Sequence, residues 1–199
     1  MGKVKIEYLG HACFRISYGG QRIVLDPYSD NSVPGLKKLR TEAEFVYSSH
    51  DHHDHNAVLC VKLKAGAAPN FRVEELQTDH DDAGGTLRGK NTVRIFTFGK
   101  LRIAHFGDLG RPLTAKEQAK LRGLDCALIP IGGCYTVDAA TAKDIIDAID
   151  PAAVIPMHYR SESAGYDEIG TLDEFFLLFD GDRPDILPLT VGGWVEFGK

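Results

Sequence analysis

No stretch of this chain stays apolar for the ~20 residues that a membrane-spanning helix requires, so no transmembrane segment is predicted. The opening Met-Gly-Lys-Val-Lys-Ile-Glu-Tyr has no apolar export core and runs directly into a strand, and the expected compartment is the cytoplasm. Cysteine is scarce. Cys13, Cys60, Cys126 and Cys134 have no CxxC spacing of the kind that zinc ribbons or redox motifs use. They sit in apolar or glycine-rich surroundings and are expected to be reduced core thiols, not two disulfides. Positive charge is short as well: 23 Lys and Arg against 28 Asp and Glu leave a net charge of −5, which supplies no basic surface for a nucleic acid. Lys37, Lys38 and Arg40 form the one basic cluster and read as a solvated face.

What remains is an ordinary globular composition, 43% hydrophobic and 26% charged over 199 residues, enough for one domain (1–199) with a sizeable core. Three short strands open the chain, Val4–Leu9, Ala12–Tyr18 and Arg22–Leu25, with Gly19-Gly20 as a hairpin signal and Asp26-Pro27 as a stop. The polar residues 28–43 read as a loop, Ala57–Leu63 as a modest helix and Phe71–Leu76 as a strand. Asn91–Phe98 and Leu101–Phe106 repeat the early pattern of strands that end on an aspartate, here Asp108. Helix and strand then alternate. A helix capped by Thr114 and Glu117 runs to Leu121, and a strand covers Cys126–Ile131. The apolar stripe 139, 142, 145, 146, 149 marks a helix from Asp138, followed by a strand Val154–Met157. A helix capped by Thr171 and Glu174 reaches Phe179, and strands around Ile186–Leu189 and Val191–Phe197 close the chain. The class is α/β with mixed sheets.

Four of the eight histidines fall within six positions, His50-Asp51-His52-His53-Asp54-His55. Imidazoles packed this densely repel one another when protonated and fill no core, so the stretch reads as a metal-binding loop. If the preceding strand, Glu44–Ser48, continues extended, His50, His52 and Asp54 share one face and Asp51 and His53 the other. His50 and His52 then reach one ion, while Asp54 and His55, adjacent across a turn, aim at a second beside it. His53 is the spare histidine. Each ion needs further donors, and three candidates stand at strand ends: His80, Asp108 between Gly107 and Gly110, and His158.

The pattern His-x-His-x-Asp-His resembles the signature of the metallo-β-lactamase superfamily. Leu9-Gly10-His11-Ala12, Leu25-Asp26-Pro27, Ile131-Gly132-Gly133-Cys134-Tyr135-Thr136 and Pro156-Met157-His158-Tyr159 look like its small metal-dependent hydrolase branch near ascorbate-6-phosphate lactonase. The resemblance implies a four-layer αβ/βα sandwich of two mixed sheets. It also implies one ion on His50, His52 and His80, a second on Asp54, His55 and His158, and Asp108 bridging both. An early aspartate braces the metal loop in that superfamily, a role that falls to Asp26. His11 and Tyr135 are candidates for substrate contact, His105 reads as packed, and Asp81 or Asp82 as holding a histidine ring.

Imidazole and carboxylate donors suit two divalent ions, zinc foremost, with manganese, iron or nickel as the other borderline choices. Two such ions share a bridging hydroxide nucleophile, and Asp54 is placed to orient it and take its proton. The expected activity is hydrolysis of an ester, lactone, amide or phosphodiester bond in a small molecule, with no nucleic-acid or membrane partner. The alternatives are a mononuclear iron oxygenase acting on a thiol and a metal-binding protein without turnover.

Overall fold

The computed structural model describes residues 2–66, 68–179 and 185–198. In chain order the strands are β1 (Val4–Gly10), β2 (Cys13–Tyr18), β3 (Gln21–Leu25), β4 (Thr41–Ala43), β5 (Phe45–Tyr47), β6 (Val61–Leu63), β7 (Arg72–Asp79), β8 (Lys90–Phe98) and β9 (Leu101–His105). Helix α1 (Ala115–Leu121), β10 (Cys126–Pro130), α2 (Ala139–Ile149), β11 (Ala153–Met157), α3 (Leu172–Phe176), β12 (Asp185–Ile186) and β13 (Trp194–Phe197) follow.

Two mixed sheets form. The first has the order β13-β1-β2-β3-β5, antiparallel except for the parallel β3–β5 pair. The second, β12-β11-β10-β9-β8-β7, is parallel from β12 to β9 and antiparallel beyond. Burial alternates strictly along β1, so one face of the first sheet turns inward. There Tyr18 meets Phe98 and Tyr47 meets Phe96 across the sheets, at ring separations of 5.3 and 5.5 Å. Every residue of β10 and β11 is buried, as expected for parallel strands covered on both faces. Their outer cover is helical. Ala142, Ile145, Ile146 and Ile149 of α2, with Leu121 and Phe175, join the main core. The expected capping boxes at Thr114/Glu117 and Thr171/Glu174 are both present.

The outer face of the first sheet is covered differently. Cys13 and Val24 pack beneath Tyr28, Val33, Leu39, Ala43 and Val61, so this layer comes from residues 28–43 and a parallel β4–β6 ribbon. Two expectations are corrected here. Ala57–Leu63 is one 3-10 turn, Val58–Cys60, followed by β6, because pairing with β4 outweighs weak local helix preference. The loop 28–43 ends in strand residues for the same reason. The closing strands are shorter than expected, since Val191–Gly193 form a turn before β13. Of the cysteines, Cys13 and Cys126 are buried as expected; Cys60 is half-buried and Cys134 is exposed.

Candidate metal centre

The strand ends converge on one rim of the sandwich. The loop after β5 carries His50 to His55, β7 ends next to His80, β9 runs through Gly107 to Asp108, and β11 ends next to His158. The β1–β2 turn adds His11, and β3 ends next to Asp26. His11, Asp26, Cys134 and His158 all have positive φ, between 43° and 57°, a conformation that L-residues adopt at a cost of about 1–2 kcal/mol each. Three of these, His11, Asp26 and His158, lie at the converging strand ends, where the strained backbone turns their side chains into the candidate site.

The extended geometry expected for His50–Asp54 is not what forms. The strand ends at Tyr47, and residues 48–55 bend and turn, with the His55 and Asn56 N–H groups both donating to the His52 carbonyl. The cause is Asp26. Its carboxylate accepts from the Ser49 N–H at 2.7 Å and the Ser49 hydroxyl at 2.5 Å and lies 2.8 Å from His55 Nδ1, so the loop curls around one buried charge. Asp26 thus ties the loop to the end of β3, the place the resemblance gives to an early aspartate.

The curl brings the donors into adjoining groups, two of them linked by a third, Asp26 with His50 and His55. In one, His50, His52 and His80 bring ring nitrogens within 4.8 Å of one another. In the other, Asp54, His55 and His158 are joined by His11 within the same limit. His11 therefore lies among the candidate donors; its ring lies 3.9 Å from that of His158 and its Nε2 3.4 Å from Asp54 Oδ2. Asp108 Oδ2 lies 3.2 Å from His55, 3.3 Å from His158, 3.4 Å from His80 and 3.9 Å from His50, measured to each Nε2. His53 is exposed and belongs to neither group.

These donors fit metal ions. Buried His11 Nδ1 and Nε2, His55 Nε2, His80 Nδ1, His158 Nδ1 and Asp108 Oδ1 have no hydrogen-bond partner, a costly state for polar atoms unless something coordinates them. Burial, then neighbouring imidazoles, pushes His50 and His11 down to about 3, so both rings are neutral, the form that ligates. Burial opposes a charge on His55, yet Asp108 and Asp26 outweigh it and raise its pKa well above the usual histidine range. Burial likewise opposes ionisation of Asp108, and His158 and His55 overcome it.

Several supports were not legible in the sequence. Asn91 on β8 donates to the Phe106 carbonyl and to Thr78 Oγ1, both at 2.9 Å, and accepts the Asp108 N–H at 3.0 Å, which fixes the approach to Asp108. A Cβ at Gly110 would overlap the His80 carbonyl, and one at Gly107 would overlap Asn91 and Ser49, so only glycine admits this close crossing. The Tyr166 hydroxyl lies 2.7 Å from the Ser32 carbonyl and 3.1 Å from Asp54 Oδ2. His105 is buried and lies 2.9 Å through Nε2 from the Ala12 carbonyl, in keeping with a packed role. Asp81 holds no histidine ring: its carboxylate accepts from the N–H groups of Ala83, Gly85, Leu87 and Arg88 instead. Asp82 is exposed. Tyr28 packs under the first sheet, with its hydroxyl on the Leu9 and Lys37 carbonyls. Above the donors a cleft of about 410 Å³ is walled by Ser32, His53, Arg88, Tyr135 and Tyr166.

The family described as "Beta-lactamase superfamily domain" matches residues 5–158, which carry every donor named above. The chain belongs to this superfamily. Among its relatives, the UPF0173 protein of Pyrococcus abyssi is 31% identical over 188 aligned positions, covering 81% of this chain and 86% of the relative. The UPF0173 metal-dependent hydrolase of Thermoplasma acidophilum is 28% identical, covering 81% and 85%. A structure from Thermotoga maritima, of the metallo-beta-lactamase superfamily, overlays with a TM-score of 0.71 at 25% identity, over 93% of this chain and 97% of that one. A metallo hydrolase from Ignicoccus hospitalis shares the fold, with a TM-score of 0.73 at 22% identity and 99% coverage of both chains. The superfamily sandwich expected from the His-x-His-x-Asp-His motif is the fold observed. The narrower likeness to the ascorbate-6-phosphate lactonase branch rests on the motifs alone.

Proposed function

We propose that this rim holds two divalent ions, one on His50, His52 and His80, the other on Asp54, His55 and His158 with His11 beside them. The observation that carries the reading is the position of Asp108, whose Oδ2 lies within 3.4 Å of nitrogens from both groups and whose Oδ1 has no other partner. Superfamily membership and this donor set make the chain a metal-dependent hydrolase. Zinc suits imidazole and carboxylate donors best, with manganese, iron and nickel as alternatives.

Two such ions, when bound, supply a hydroxide nucleophile near neutral pH and polarise the oxygen of the scissile group. The chain's residues organise the rest. Asp54, ionised and beside both His11 and Tyr166, is placed to orient the nucleophile and accept its proton on a carboxylate oxygen. Asp26 fixes the tautomer of His55 by holding Nδ1, which leaves Nε2 to face the centre. The cleft has the volume of a small-molecule site, and its substrate carries an ester, lactone, amide or phosphodiester bond. A mononuclear oxygenase acting on a thiol requires one ion, and the double contact of Asp108 favours two.

The test is elemental analysis together with turnover of bis(p-nitrophenyl) phosphate and a lactone panel. The intact chain is expected to hold two equivalents and to hydrolyse at least one probe. Asp108→Ala is expected to lose occupancy at both positions; two full equivalents in that variant remove Asp108 from the bridge, and one iron without hydrolysis favours the oxygenase.

A further inference from the structure

Arg88 stands on the cleft wall without a job in the chemistry above. Its backbone is fixed. The Asp81 carboxylate accepts four N–H groups from residues 83–88, including that of Arg88 at 2.7 Å, so the turn after β7 is tied to one buried acid. Its guanidinium, by contrast, has no carboxylate within ion-pair distance among the described residues. Arg111 pairs with Asp79 and Glu117, Arg22 with Glu42 and Glu44, and Arg94 with Glu75, whereas Arg88, the arginine among the described lining of the cleft, has no such pair. Among the described residues the Arg88 head lies over the Tyr135 ring, 5.6 Å to the centroid, and the Tyr135 hydroxyl is itself held by Glu168. An arginine stacked on a tethered tyrosine is oriented while its N–H fork stays free.

We infer that Arg88 and Tyr135 form an anion subsite, and that the substrate carries a carboxylate or phosphate group remote from the bond that is cut. The fork of a guanidinium matches the two oxygens of such a group, and Tyr135 supplies an apolar wall for the carbons between. This assignment rests on the cleft being the substrate site proposed above. It narrows the substrate class from any hydrolysable small molecule to an anionic one.

The test is binding, which needs no turnover. Monomethyl glutarate and propyl phosphate are titrated calorimetrically into the metal-loaded full chain and into Arg88→Gln and Arg88→Lys. Arg88→Gln is expected to weaken the anion that the intact protein prefers by about tenfold or more, with Arg88→Lys between the two, because a point charge replaces a fork. The preferred probe tells carboxylate from phosphate. Melting temperature serves as the fold control, since glutamine keeps the backbone N–H that Asp81 accepts. Affinities equal within twofold in the intact protein and Arg88→Gln overturn the inference, as does no binding of either probe to the intact protein at tens of millimolar. Anion binding that depends on Arg88, in a protein that hydrolyses nothing, leaves the subsite standing and sinks the hydrolase reading alone.

Discussion

Asp26→Asn separates charge from shape at the brace of the metal loop. Asn tolerates positive φ, so the backbone at φ 43° is not the variable. The side chain keeps one acceptor for the Ser49 N–H, but an amide nitrogen replaces the oxygen that takes the Ser49 hydroxyl at 2.5 Å and faces His55 Nδ1 at 2.8 Å. Two bonds to a buried charge are lost, each worth roughly 1.5–3 kcal/mol. Part is recovered, because the Ser49 hydroxyl can turn to His50 Nδ1, 2.9 Å away. A net loss of about 2–4 kcal/mol follows, which for a chain of this length lowers the melting temperature by roughly 5–15 °C. The second effect is on the centre. With an N–H donor opposite Nδ1, the neutral His55 ring favours its proton on Nε2, the nitrogen that faces Asp108 at 3.2 Å. Metal affinity at that position is expected to fall about 10–100-fold. Chelator-treated protein melted by calorimetry reads the first effect, and competition with a chromogenic chelator reads the second. A variant that melts within a degree of the parent and keeps parental metal affinity would refute the brace.

His53→Ala is expected to retain two metal equivalents, since His53 is exposed and outside both donor groups; loss of one equivalent would place it among the ligands. Glu117 gives a pH prediction away from the centre. Its bonds to Arg111, aided by the Thr114 N–H and opposed by burial, hold its carboxyl down to about 2. A depressed folded pKa contributes stability above the ordinary glutamate range, and that stability is lost as pH falls from about 4.5 through about 2. The stability gap between the parent and Glu117→Gln should therefore be about 1–2 kcal/mol at pH 6, screening included, and shrink toward pH 3 in urea melts. A gap that stays constant over that range would assign the loss to the capping geometry alone.

The centre was legible because its chemistry is concentrated in rare residues at fixed spacing. His50 to His55 announce metal by density, and His80, Asp108 and His158 stand at strand ends that the β-branched runs already mark. What was not legible depends on partners far away in sequence. The β6 segment looks helical over seven residues and becomes a strand only because Thr41–Ala43 pairs with it. Asn91 reads as one more polar strand residue until β9 arrives beside it with Asp108. His50 and His52 come together through a bend and not through strand alternation, because a local period cannot anticipate that Asp26, 23 residues earlier, holds the chain at Ser49. Tyr166 sits in a loop with no diagnostic pattern, and its bond to Asp54 comes only with the fold.

The rim draws from both sheets: β1, β3 and β5 deliver one part of the donors and their brace, β7, β9 and β11 the other. The seam is already stitched by the His158 N–H on the His11 carbonyl at 3.0 Å and by His105 at the Ala12 carbonyl. An ion shared by His55 and His158 would join halves of the chain about a hundred residues apart and stabilise the folded state by binding it more tightly than the unfolded chain. On the proposed reading, metal binding and the joining of the two halves are linked. Chelation should loosen both edges of that seam in concert, visible as faster amide exchange in β1 and β11 together and not at the centre alone.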